Sequence, residues 1–148
     1  MSKQIVVTGA TGFLGSRIVE KLVERKAYDR IIAAGRSLKP AYQIDSPLVE
    51  YRLGDLGDLD YCRRLVVDCT HIVNCASLSS PWGSEDAFYQ ANVVTQENLI
   101  LAAQEVGVQR YVYISTPSIY FAFYDRFDIR ESDPLPDPLV NAYAETKL

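Results

Sequence analysis

The first apolar run, Ile5 to Val7, is followed after a short turn by Leu14, Ile18, Val19, Leu22 and Val23, spaced as one face of a helix. That order predicts a strand and then a helix. Strand-like runs recur at Ile31 to Ala34 and Leu48 to Tyr51, a helix is expected around Leu59 to Val67, and a fourth strand at His71 to Cys75. A longer helical stretch from about Glu85 to Glu105 leads into a fifth strand, Tyr111 to Ser115, rich in β-branched and aromatic residues. Strands that alternate with helices in this way form right-handed βαβ crossovers, so the expected fold is α/β, a doubly wound parallel sheet with helices on both faces. From Asp125 the chain turns polar, and Pro134, Pro136 and Pro138 remove backbone donors, which predicts a long surface loop. Asn141 then caps a helix whose first turns hold Ala142 to Leu148.

Composition narrows the function classes. The 148 residues, 48% hydrophobic and 23% charged, suit one ordinary globular domain. No segment approaches the ~20 consecutive apolar residues of a membrane helix, so no membrane partner is expected. The start MSKQIVVTGATG has no secretory-signal pattern, and the expected address is cytoplasmic. Cys62, Cys69 and Cys75 are odd in number and lack ligand spacing, and His71 is the only histidine, so no metal site is expected. A formal charge of −4, spread along the chain, offers no basic stripe, and nucleic acid is not an expected partner.

Between the first strand and the first helix stands Thr8-Gly9-Ala10-Thr11-Gly12-Phe13-Leu14-Gly15. A parallel sheet places a phosphate against a helix N-terminus at this point. Gly9 allows a tight turn, Gly12 lets the backbone approach a pyrophosphate, and Gly15 lets helix and strand pack closely. No Gly-Lys-Ser/Thr follows, which disfavours a nucleoside triphosphate P-loop.

The stretch TGATGFLG so near the N-terminus resembles the cofactor signature of the extended short-chain dehydrogenases/reductases, the branch of NAD(P)-dependent epimerases, dehydratases and hydroxysteroid dehydrogenases. The resemblance implies a Rossmann fold and a dinucleotide lying on Gly9, Thr11, Gly12, Phe13 and Leu14. Where an NAD site usually offers an acid at the end of the second strand, this chain has Gly35, followed by Arg36. A guanidinium there can pair with a 2′-phosphate, so NADP is the expected cofactor, with NAD the alternative and Lys39 a lesser auxiliary. A solvated loop arginine is the competing reading of Arg36.

The resemblance further implies that Asp55 and Leu56 flank the adenine, with helix capping a competing or additional role for Asp55. It implies that Cys75, Ala76 and Ser77 form a small-residue turn under the cofactor, and that Asn92 binds backbone groups nearby. Tyr143 and Lys147 are four residues apart near the start of a helix, so they share a face, and an ammonium beside a phenol favours the phenolate. By resemblance they form the catalytic pair, Lys147 also holding the nicotinamide ribose, with Thr116 as the hydroxyl that binds the substrate oxygen; Ser115 is the second choice and Ser118 the third. Ser79 and Trp82 stand where the family's substrate often passes, although Trp82 could equally anchor a surface loop.

The expected function is hydride transfer at a hydroxyl or carbonyl carbon of a small-molecule substrate by a Thr-Tyr-Lys set, with epimerase, dehydratase and reductase left open. A faint lean to the hydroxysteroid dehydrogenase-like members comes from the small-residue turn. Family members run to about 300 residues, so residues 1–148 are expected to be a dinucleotide-binding half that lacks the C-terminal strands and substrate domain, to turn over weakly or not at all, and to belong to a possible homodimer. The alternatives are a non-catalytic dinucleotide sensor or interaction module, and a ligand-free domain covered by a partner.

Overall fold

The computed structural model describes residues 2–148, so Met1 of the expected domain lies outside it. Five parallel strands, β1 (Gln4–Thr8), β2 (Arg30–Gly35), β3 (Val49–Leu53), β4 (His71–Asn74) and β5 (Arg110–Tyr113), form one sheet in the order β3-β2-β1-β4-β5. The helices between them are α1 (Phe13–Arg25), α2 (Leu59–Leu65), α3 (Glu85–Phe88), α4 (Thr95–Glu105) and α5 (Ala142–Lys147). This is the doubly wound Rossmann arrangement expected from the sequence.

Burial follows the alternation of side chains along a strand. Val6, Ile32 and Ile72 face Leu65, Val66, Leu99 and Ala102 on one side of the sheet. Ile5, Val7, Ile31 and Ala33 face Val19, Ile18, Leu22 and Val23 on the other. Every residue of β1 is buried, as a central parallel strand covered on both faces requires. The outer strands are wetter, and in β3 Glu50 pairs with both Arg30 and Arg52 along the sheet edge.

Three details differ from the expected elements. The stretch from Glu85 to Glu105 is not one regular helix: Tyr89–Val94, between α3 and α4, has the wider π winding. The fourth and fifth strands stop at Asn74 and Tyr113, so Cys75 and Ser115 lie in the turns beyond them. Pairing sets these ends, because β4 and β5 run together only from His71↔Arg110 to Asn74↔Tyr113. The proline-rich stretch is non-helical as expected, and a 3-10 turn, Pro117–Tyr120, precedes it. Asn141 caps α5 as predicted, its Oδ1 accepting from the Ala144 N–H at 2.8 Å.

Candidate active site

The strand order reverses between β1 and β4, and at such a point the connections diverge and leave a crevice beyond the strand ends. The glycine turn lies there. Gly9 has φ +64°, and a Cβ on it would stand 2.9 Å from the Ala76 nitrogen, so the turn rests on the backbone after β4. A Cβ on Gly15 would meet the Gly9 oxygen at 2.2 Å, which sets how closely α1 sits on the turn. Gly12 differs, because a Cβ there would touch only the Gly9 oxygen at 3.4 Å. Gly12 is also the N-cap of α1, offers no side-chain cap, and is followed by no acid in the first turn. The first amides of the helix are therefore left for an anion, and the cradle fits a dinucleotide pyrophosphate. Phe13 and Leu14 are exposed beside it.

Thr11 is buried in the turn. Its side chain fills the space beside Gly35, where a Cβ would lie 2.3 Å from Thr11 Oγ1 and 2.6 Å from Cγ2. Arg36 follows, exposed and in none of the ion pairs among the described residues. Lys39 is exposed at the start of the next 3-10 turn. The Gly54 N–H donates to the Gly35 carbonyl at 3.0 Å, which brings Asp55 and Leu56 to the same side of the crevice as Arg36. Asp55 does not cap α2. That position belongs to Asp58, whose Oδ1 accepts from the Asp60 N–H at 2.9 Å, while Asp55 Oδ1 accepts from the Gly57 N–H at 2.8 Å in a local turn. Two acids so close in sequence both suit a cap, and only the winding of the turn decides between them.

Across the crevice, Cys75, Ala76 and Ser77 follow β4. Asn74 Oδ1 accepts from the Ala76 N–H at 3.1 Å and from Thr8 Oγ1 at 2.5 Å. Asn74 Nδ2 in turn donates to Gln96 Oε1 at 2.5 Å and Tyr111 Oη at 3.0 Å. Burial pushes the Cys75 thiol up to about 11, with the nearby Lys147 ammonium acting the other way, so the thiol is neutral at pH 7. Trp82 is 84% exposed, which overturns a loop-anchoring role for its ring. Its loop is tied instead by Ser80 Oγ, which donates to the Trp82 carbonyl at 2.8 Å. His71, at the other end of β4, packs edge-on against Tyr28.

Thr116, Tyr143 and Lys147 come to this side as well. Thr116 Oγ1 caps the 3-10 turn, accepting from the Ser118 N–H at 3.2 Å, and its hydroxyl lies 3.1 Å from Ser118 Oγ. The expected substrate-binding hydroxyl is thus engaged with the third-choice residue, while Ser115 Oγ donates to the Lys147 carbonyl at 3.2 Å and so ties the end of β5 to α5. The Tyr143 ring is half-buried, 6.3 Å from the Phe88 ring. Lys147 is 3% exposed, its Nζ donating to the Ile114 carbonyl at 2.5 Å and standing 4.1 Å from the centre of the Tyr113 ring. Burial lowers the affinity of its amine for a proton.

The model of the NAD dependent epimerase/dehydratase family matches residues 5–148. The chain belongs to that family. It is 33% identical over 141 residues to a 2-alkyl-3-oxoalkanoate reductase of Shewanella oneidensis, covering 95% of this chain and 35% of that protein. To a 3 beta-hydroxysteroid dehydrogenase/Delta 5-->4-isomerase of Mycobacterium tuberculosis it is 32% identical, covering 98% of this chain and 40% of that one. Among solved structures, the Bordetella bronchiseptica enzyme WbmH in complex with NAD+ superposes with a TM-score of 0.86 at 25% identity, over 98% of this chain and 49% of its own. A Thermus thermophilus UDP-glucose 4-epimerase complexed with NAD gives 0.84 at 26% identity, over 97% and 47%. The chain therefore spans half or less of the length of each of these relatives.

Several residues of this epimerase/dehydratase chain that build the site carry no motif. Gln96 and Tyr111 join Thr8 of the glycine motif in the network around Asn74, and Tyr113 and Ile114 hold Lys147. Asn92, expected to bind backbone, does so doubly at Leu78, accepting from its N–H at 2.7 Å and donating to its carbonyl at 3.2 Å. It also donates to Thr146 Oγ1 at 3.0 Å, a contact the sequence does not announce. Polar residues interrupting apolar strands, such as Thr8 and Asn74, were the available signal.

Proposed function

We propose that these residues form the dinucleotide-binding part of an NADP-linked oxidoreductase that acts at a hydroxyl or carbonyl carbon. The observation that carries the cofactor choice is the contact between Thr11 and Gly35. With Thr11 against it, position 35 has no room for the carboxylate that would hold an unphosphorylated ribose. The neighbouring Arg36 is exposed and can accept a 2′-phosphate. The relatives solved with NAD favour the second reading, in which Arg36 is only a solvated loop residue.

In this reading the first amides of α1 and the bare face of Gly12 hold the pyrophosphate. Asp55 and Leu56 border the adenine, and the turn Cys75-Ala76-Ser77 keeps its side chains short so that the cofactor lies near the backbone. When bound, the dinucleotide supplies the hydride acceptor or donor. Tyr143 moves a proton to or from the substrate oxygen, Thr116 donates a hydrogen bond to that oxygen, and Lys147 supplies a positive charge one turn along the helix from Tyr143 and reaches the ribose. The presence of all three argues against a sensor that has lost its chemistry. The named relatives that reduce alkyl oxoalkanoates or oxidise hydroxysteroids support a ketone or secondary alcohol on an apolar skeleton as the substrate class.

The test is a parallel titration of the chain with NADPH and NADH, repeated on Arg36→Ala. Tighter NADPH binding that weakens about tenfold to a hundredfold in the variant is the expected result, the size of one charge-assisted pair. Equal affinity for both cofactors in the unaltered chain would reject the NADP assignment.

A further inference from the structure

Lys147 is a buried cation without a carboxylate. Among the described residues no ion pair includes it. Glu85 and Asp86 of α3, Tyr89 of the π segment and Glu145 of α5 are all exposed to solvent, and Tyr120 of the 3-10 turn donates its hydroxyl to the Glu131 carbonyl. Cys75 faces it as a neutral thiol. Tyr143, one turn back on α5, is the group it is proposed to serve. What remains in contact with the ammonium comes from two consecutive residues at the end of β5: the Ile114 carbonyl at 2.5 Å and the face of the Tyr113 ring, its centre at 4.1 Å.

An aromatic face carries the negative part of the ring quadrupole, and desolvation strengthens its attraction for a cation. The Tyr113 phenol itself stays un-ionised, because burial and the neighbouring Tyr143 both raise its pKa. The ring therefore acts as a neutral seat.

We propose that Tyr113 is a positioning residue whose ring face, together with the Ile114 carbonyl, holds the Lys147 ammonium in place and charged at a site that offers no counter-ion. The inference rests on the proposed role of Lys147 beside Tyr143. It extends that role to a residue outside the Thr116, Tyr143 and Lys147 set and requires the ring, not the hydroxyl. A phenylalanine at position 113 serves equally well, and a leucine of similar bulk does not.

The experiment is a carbon-detected NMR titration of the lysine side chains in the 148-residue chain, with Tyr113→Phe and Tyr113→Leu beside the unaltered protein. Tyr113→Phe is expected to leave the Lys147 titration in place, and Tyr113→Leu to weaken proton binding by about tenfold. Phenylalanines carrying one, two and three ring fluorines at position 113 keep the shape while draining the ring face, so the same weakening is expected to build stepwise. A flat fluorination series, or a Tyr113→Phe chain that falls as far as Tyr113→Leu, overturns the proposal. Because no cofactor is present in this titration, failure of the NADPH binding test and failure of this one are separate results.

Discussion

Thr11 and Gly35 show how one contact between two small residues bears on cofactor choice. Thr11 is buried at the end of the glycine turn, and its γ atoms occupy the space that any side chain at position 35 would need. Gly35→Asp is therefore expected to lower stability by about 1–3 kcal/mol, the usual cost of overpacking, without creating an NADH site. Adding Thr11→Ala should restore much of the loss. Thermal unfolding of the single and double variants, with NADH titration of each, is the measurement. A Gly35→Asp chain as stable as the parent would remove the steric argument for NADP.

At the scale of elements, the π winding between α3 and α4 has a local consequence. It places Asn92 where one buried amide meets both backbone groups of Leu78 and the hydroxyl of Thr146. Thr146 Oγ1 in turn donates to the Tyr143 carbonyl at 3.1 Å. A continuous path thus joins the loop after β4 to the turn of α5 that carries Tyr143 and Lys147. Asn92→Ala and Thr146→Val should each cost about 1–2 kcal/mol, and the double variant should cost less than their sum by about 0.5–1.5 kcal/mol. Thr146→Ser should behave like the parent. Urea unfolding measures all four, and strict additivity would show that the two side chains do not act together.

The whole molecule stores protons that its unfolded chain gives up at high pH. Burial pushes the Cys62 thiol up to about 11, with Asp58 and Asp55 adding to it, and burial likewise holds Cys75 at about 11, against an ordinary value of 9.0. Between those values the unfolded chain has lost protons that the folded chain keeps. Their contribution to stability is therefore whole below pH 9 and lost as pH rises through 11. The urea midpoint should fall steadily from pH 8.5 to about 10.5, and the slope should flatten in Cys62→Ala even though that variant is less stable throughout. An unchanged slope would mean that other groups govern alkaline unfolding. On the outer surface Phe123, Phe127 and Trp82 stand well exposed, and among the described residues β5 pairs only with β4.

The amino-acid sequence alone determined the alternation of five strands and their helices, the parallel sheet and the glycine turn, because apolar period and the special freedom of Gly9 are local properties. It also placed the Asn141 cap and the shared face of Tyr143 and Lys147, since residues three and four apart meet on any helix. Tertiary structure decided what lies far apart along the chain. It chose Asp58 over Asp55 as the cap of α2, put Thr11 against Gly35, joined Asn92 to Thr146, and set Lys147 on Tyr113. Apart from that cap, whose bond spans 2 positions, these contacts span from 24 to 54 positions, and no periodicity encodes them. They depend on which strand ends and helix faces the folded sheet brings together, and on the need of each buried polar or charged group for a partner.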